Sequence, residues 1–269
     1  MIERAVMSYW TGASKGSPHR GWLSERDHHD AWRISSNLLA RHFREVVLVT
    51  DRAGWAELSP LALPFAKVSL ELEKIDPKLA RIWSWGKVVA YGTQTQPFVH
   101  VDTDAFMFRP LPLSVLEAPV CAHIPDKFWR TTYASCYPIE EMLAKVRRLP
   151  SAVRRAAAQP IQYAASCGLY GGNDIGTIQL QWHLANECLE LDPDGWASLA
   201  PIAQIHLLEQ WMVGVALREN RSWIEYLYPS CSAAIDERQQ REVGFVHLWG
   251  PEKRHLQRVR NLYENGQAT

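Results

Sequence analysis

No apolar run in this sequence approaches the roughly 20 residues that a membrane-spanning helix needs, so no integral membrane segment is expected. The opening stretch, Met1 to Trp10, is too short and too interrupted for a secretory signal, which points to a cytoplasmic protein. An excess of charge is missing as well. The 29 Lys and Arg residues balance 29 Asp and Glu residues, so the chain lacks the basic surplus that attracts nucleic acid. Cysteine is sparse: Cys121, Cys136, Cys167, Cys188 and Cys231 are dispersed, odd in number and free of C-x-x-C spacing. That pattern excludes a disulfide framework and a structural zinc site. Internal repeats and low-complexity tracts are also absent.

What remains is a chain of 269 residues, 47% hydrophobic and 22% charged, long enough to bury a full core as a single domain over residues 1–269. Strand and helix patterns alternate in its first half, which predicts an α/β fold with a mainly parallel sheet flanked by helices. Val6 to Trp10 reads as the first strand, and Thr11 to Gly21 as a loop. Ser24-Glu25-Arg26-Asp27 resembles a capping box and opens a helix to about Arg44. Val46 to Thr50 is a continuous apolar strand ending at Asp51, and a shorter strand surrounds Lys67 to Leu70. Lys78 to Tyr91 reads as a helix. Val120 to Ile124 is a further strand, after which residues 126–165 read as a helical insertion carrying Lys145, Arg147, Arg148, Arg154 and Arg155. Such an insertion is an exposed helical face, or a surface for an acidic acceptor or for closing over a ligand.

The most informative stretch is Pro97 to Phe106, an apolar run ending in Asp102-Thr103-Asp104. On a strand, alternate side chains share a face, so the two carboxylates are expected to point the same way. A carboxylate pair at the carboxyl end of a buried strand suits a hard divalent cation that keeps positions open for phosphate oxygens. Downstream, Phe245 to Lys253 reads as a strand followed by a turn, with the pattern His247-x-x-Gly250-x-x-Lys253. A neutral imidazole can complete the coordination of a borderline metal such as manganese, Gly250 permits close backbone approach, and Lys253 can neutralise phosphate charge.

These motifs, in this order, make the chain similar to glycosyltransferases of the GT-A type, and most to the metal-dependent retaining families that include glycogenin and lipopolysaccharide galactosyltransferases. The resemblance implies a Rossmann-like GT-A domain that moves a sugar from a nucleoside diphosphate donor, a UDP-sugar above all, to an acceptor that is a glycan, peptide or small molecule. It implies Mn2+ or Mg2+ on Asp102, Asp104 and His247. Donor contacts fall to Trp10, Thr11, Lys87, Asp102, Asn173, Gly250 and Lys253, with Arg81 as the alternative to Lys87. Tyr170-Gly171-Gly172-Asn173-Asp174 is similar to the sugar-holding strand-to-helix element of those families, although its Gly-Gly-Asn order departs from their pattern. A capping role for Asn173 or Asp174 is the local alternative. Glu209-Gln210 resembles their acid-plus-glutamine element, where the acid holds sugar hydroxyls and the amide lies beneath the anomeric carbon. By spacing alone the pair equally marks a helix N-terminus. Asp174, Glu209 and Gln210 are the catalytic candidates.

Two other readings stand beside this one. Gly12 to Pro18, with Lys15, faintly resembles the glycine-rich loop of sugar nucleotidyltransferases, but lacks their arginine and second lysine and leaves the His-Gly-Lys motif without a role. A non-catalytic sugar-nucleotide-binding protein is the third. The twelve tryptophans, Trp10, Trp83, Trp85, Trp129 and Trp249 among them, suit sugar stacking or core packing.

Overall fold

Val46, Val47, Leu48 and Val49 are apolar in succession because both faces of their strand are covered, and all four are buried. The computed structural model that shows this describes residues 1–14, 18–127, 139–158 and 163–267. Its first half alternates through β1 (Arg4–Tyr9), α1 (Glu25–His42), β2 (Glu45–Thr50), α2 (Arg52–Leu58), β3 (Lys67–Ser69), α3 (Trp85–Gly92) and β4 (Phe98–Val101). Then follow β5 (Ala105–Met107), α4 (Leu113–Glu117), β6 (Val120–Lys127), α5 (Ile139–Leu143), α6 (Ser151–Ala158) and β7 (Tyr163–Gly172). The rest is mostly helical: α7 (Ile175–Leu191), α8 (Pro193–Ala197), α9 (Pro201–Ile205), α10 (Met212–Asn220), β8 (Ile224–Tyr226), α11 (Cys231–Ile235), α12 (Glu237–Val243), β9 (Phe245–His247) and α13 (Leu256–Gln267).

The fold is α/β and Rossmann-like. A seven-stranded sheet runs in the order β3-β2-β1-β4-β7-β6-β8. β3, β2, β1 and β4 are mutually parallel, β7 is antiparallel to both its neighbours, and β8 is parallel to β6. Alternation along β1 sends Val6 to one core, shared with Trp85, Val88 and Tyr91 of α3, and sends Ala5 and Met7 to the other, shared with Trp32 and Leu39 of α1. From β1 the chain moves outward to β2 and β3, then crosses back to β4 on the other side of β1. The carboxyl ends of β1 and β4 therefore flank a switch point, the place where open α/β sheets leave a crevice for ligands.

β5 and β9 form a separate antiparallel pair. Phe106 and Val246 on one face pack with Ala31, Ile34 and Leu38 of α1 and with Leu256 and Val259 of α13. The Ser35 hydroxyl also donates to the Ala105 carbonyl at 2.8 Å, tying α1 to β5. α1 itself starts at Ser24, whose hydroxyl accepts the Asp27 backbone N–H at 3.1 Å.

Two expected elements differ. The helix read over Lys78 to Tyr91 is a 3-10 segment, Pro77–Arg81, then a break, then α3. The Arg81 guanidinium donates to the carbonyls of Ala197 and Leu199 at 2.6 and 2.8 Å, and this tertiary anchor overrides the helical pattern. The insertion read over 126–165 is helical only at α5 and α6 among the described residues, because its flanks extend the β6–β7 ladder as far as the Lys127–Tyr163 pair. Trp129, Cys136 and Lys15 lie outside the described residues. No helix among the described residues is long and apolar enough to cross a membrane.

Arg260 of α13 clamps α1 by donating to Asp27 at 2.5 Å and to Asp30 at 2.8 Å. Burial alone would raise the Asp27 carboxyl, but Ser24 and Arg260 hold it below its ordinary value of 3.8. A depressed carboxylate adds stability above its unfolded pKa and loses it as pH falls through the folded one. Arg260→Ala is therefore expected to cost about 1 to 2 kcal/mol at pH 7, with the gap to wild type closing below about pH 4, as checked by urea unfolding at both pH values.

Candidate metal centre

Asp102 and Asp104 do share a centre, but not through strand alternation. β4 ends at Val101, and the Ala105 N–H closes a turn onto the Asp102 carbonyl at 3.0 Å. Asp102 remains tied to the main sheet through the Gly168 carbonyl, which accepts its N–H at 3.0 Å. Asp104 already belongs to the small sheet, its carbonyl accepting the Leu248 N–H at 2.8 Å. The motif thus bridges two sheets at the switch point.

His247 arrives from the far end of the chain because β9 pairs with β5 in the register Ala105 to His247. Its Nε2 lies 3.1 Å from Asp104 Oδ1 and 3.9 Å from Asp102 Oδ2. One ligand atom from each of the three residues falls within 4.8 Å of the others. Two half-buried carboxylates and a buried imidazole at the carboxyl edge of the parallel strands fit a divalent cation that tolerates mixed oxygen and nitrogen ligands.

Each carboxylate has a lysine. Lys253 Nζ is 3.1 Å from Asp104 Oδ2 and lies 5.0 Å above the Trp22 ring. Burial would raise the Asp104 carboxyl, but Lys253 and His247 overcome it and hold the group well below the carboxylate range. Lys87 Nζ is 3.0 Å from Asp102 Oδ2 and 2.7 Å from Glu209 Oε1. Burial works to discharge this ammonium, yet Asp102 and Glu209 together raise its pKa. Burial likewise raises the Glu209 carboxyl, against the pull of Lys87. Gly250 opens the turn carrying Lys253 with φ +57, a left-handed backbone that suits glycine, and a Cβ there would meet nothing within 4 Å.

Glu209 and Gln210 are not at a helix N-terminus. They lie in a π-helical turn, His206–Trp211, inside one helical run from α9 through α10. Such turns recur at functional sites. This one aims Glu209, 1% exposed, at Lys87, where Tyr91 Oη also donates to it at 3.2 Å, and leaves Gln210 half-buried beside it.

Asn173 and Asp174 are not brought to the centre. β7 runs antiparallel to β4, pairing Leu169 with Val101 but Gly172 with Phe98, so both residues emerge at the amino end of β4. That places them about 15 Å or more along the strands from Asp102. There Asp174 caps α7 by accepting from the Thr177 N–H, the Thr177 hydroxyl and the Ser222 hydroxyl, and Asn173 donates to the Leu116 and Ala118 carbonyls. Trp10 and Thr11 do stand at the carboxyl end of β1. The Trp10 side chain, however, is core, its ring filling the space where a Cβ on Gly12 would lie and its Cβ the space beside Gly86, and the Thr11 N–H and hydroxyl both donate to Asp51 Oδ2. A cleft of about 480 Å3 lined by Arg4, Glu45 and Pro97 among others opens at the opposite edge of these strands and is separate from the centre.

Three further residues shape the site. A Cβ on Gly168 would fall 2.3 Å from the His247 ring, so only glycine at that point of β7 lets the imidazole in. His100 lies on β4 with Nδ1 3.8 Å from Asp102 Oδ1 and Nε2 2.9 Å from the Ser8 hydroxyl. His123, on β6, is fully buried with its ring 5.1 Å from that of His247, and burial, reinforced by His247, lowers its pKa well below the imidazole range. Mid-strand glycine and the i−2 spacing of His100 from Asp102 were readable signals. His123 had none.

Fold and site define an α/β protein with a candidate two-carboxylate, one-histidine metal centre at its switch point. The chain belongs to DUF6734, a family of unknown function whose model matches residues 3–265. No curated protein matches it.

Removing the ammonium between Asp102 and Glu209 leaves a buried carboxylate uncompensated. Lys87→Met is expected to cost about 3 kcal/mol, and adding Glu209→Gln to recover much of that, by urea unfolding. Because the folded Glu209 carboxyl is raised, Lys87→Met alone regains stability as pH falls toward the unfolded value near 4.5.

Proposed function

We propose that the protein is a divalent-metal-dependent glycosyltransferase of the GT-A type, moving a sugar from a nucleoside diphosphate donor, a UDP-sugar first, to an acceptor hydroxyl. The observation that carries this reading is the convergence of Asp102, Asp104 and His247 at the switch point, with a lysine on each carboxylate. A Mn2+ or Mg2+ ion on these three residues supplies Lewis-acid neutralisation of the leaving diphosphate. Lys253 is near enough to leave Asp104 for a phosphate oxygen, and Gly250 sets the turn that carries it. Lys87 holds Asp102 in place through Oδ2 while gripping Glu209. Gln210, adjacent to that pair, is the group available to offset positive charge developing at the anomeric carbon.

Retention of configuration is favoured over inversion. An inverting enzyme needs a carboxylate base for the acceptor hydroxyl. Of the two acids among the catalytic candidates, Asp174 caps a helix at the far edge and Glu209 is buried in an ion pair.

A panel of nucleoside diphosphate sugars with and without Mn2+ tests the reading. Mn2+-dependent release of UDP is expected, reduced at least about 100-fold by Asp104→Ala, the loss of some 2.7 kcal/mol of transition-state stabilisation. Pyrophosphate formation from a nucleoside triphosphate and a sugar phosphate would instead identify a nucleotidyltransferase, and binding without turnover a sugar-nucleotide-binding protein. Lys253→Ala is expected to lower turnover at least about tenfold, roughly 1.4 kcal/mol, and wild-type kinetics in this variant would place the phosphate site elsewhere.

A further inference from the structure

We propose that His123 is a positioning residue for the metal centre: its imidazole accepts the Nδ1–H of His247 and so turns the Nε2 lone pair toward Asp102 and Asp104. The inference rests on the reading of His247 as a metal ligand.

A histidine that binds a cation through Nε2 must carry its proton on Nδ1, and a buried N–H needs an acceptor. His247 Nδ1 is buried and has no hydrogen-bond partner among the described residues. Two aromatic side chains touch the His247 ring, Trp249 and His123, each at 5.1 Å between ring centroids. An indole N–H only donates, so Trp249 cannot serve. The His123 imidazole can, and neither of its own ring nitrogens has a partner among the described residues although the side chain is fully buried. Burying two such atoms in a box of Tyr228, Phe245 and Trp249 is costly unless they have work to do. A separation of 5.1 Å between centroids is compatible with about 3 Å, hydrogen-bond range, between a ring nitrogen of a turned His123 and His247 Nδ1. Gly168 lies against the Cε1–Nδ1 edge of the His247 ring, and its missing Cβ is what leaves that edge space. His123 thus supplies what the two carboxylates cannot, a fixed tautomer for the third ligand.

The test measures Mn2+ affinity of the full chain by the electron paramagnetic resonance signal of free Mn2+, with and without UDP. Wild type is compared with His123→Phe, which keeps a ring in the box but has no acceptor, and with His123→Asn and His123→Gln, which restore an acceptor near one ring nitrogen or the other. Phe is expected to weaken Mn2+ binding about 10- to 100-fold, with Asn or Gln recovering most of it. Circular dichroism and melting temperature confirm folding, and His123→Leu replaces the Phe variant should its bulk prevent folding. Unchanged affinity in the apolar variant overturns the proposal, as does equal loss in apolar and amide variants, which would make His123 a packing residue. Wild type that binds no Mn2+ in either condition overturns the metal reading itself, and this inference with it.

Discussion

Two carboxylates that face one point repel each other, and the architecture around Asp102 and Asp104 is arranged to hold them there. Unit charges some 4 Å apart cost roughly 4 kcal/mol at the effective dielectric of a protein edge. One cation per carboxylate offsets that cost: Lys87 from α3 behind Asp102, Lys253 from the turn after β9 behind Asp104. The two carboxylates share their oxygens differently: Asp104 gives Oδ2 to Lys253 and keeps Oδ1 for His247, whereas Asp102 Oδ2 meets Lys87 at 3.0 Å and is also the oxygen 3.9 Å from His247. The arrangement stores negative potential between two positive supports, which is what a site for a cation bridging to a phosphate requires.

Covalent continuity alone would not fix this geometry, because the motif turns between two sheets. Asp102 is fixed by the ladder of β4 and β7, Asp104 and His247 by the ladder of β5 and β9. The small pair is pressed against the main body by α1 and α13, so the apolar contacts of Phe106 and Val246 determine the distance between ligands as much as the ligands do. A register slip of one residue in β9 would turn His247 toward α1 and bring Val246 to the centre.

The alternation of strands and helices, the parallel half of the sheet and the three metal-ligand candidates were legible in the sequence because each rests on a strong local pattern. The apolar run of β2, the cap at Ser24 and the H-x-x-G-x-x-K motif all appear in the structure where local rules put them. What failed was information carried by strand direction. Tyr170 to Asp174 looks the same to a local reading whichever way β7 runs, and only its antiparallel pairing with β4 sends Asp174 to the wrong edge. Glu209 and Gln210 read locally as a helix start but lie in a π-turn inside a helical run, since a π-turn leaves no composition signal. His123 was invisible for the complementary reason: a single polar residue in an apolar strand says nothing until a strand from much later in the chain lays His247 beside it.

Lys87 joins these levels. By gripping Asp102 and Glu209 at once it couples the metal side of the crevice to the helix that carries Gln210, so a shift of either carboxylate is felt by the other. Glu209 makes that grip from within the π-turn, where Gln181 donates to its backbone carbonyl at 2.7 Å. A buried ion pair of this kind is weak as a source of stability but strict about geometry. In this fold it ties Asp102, at the metal-ligand cluster, to Glu209 in the π-turn that also carries Gln210.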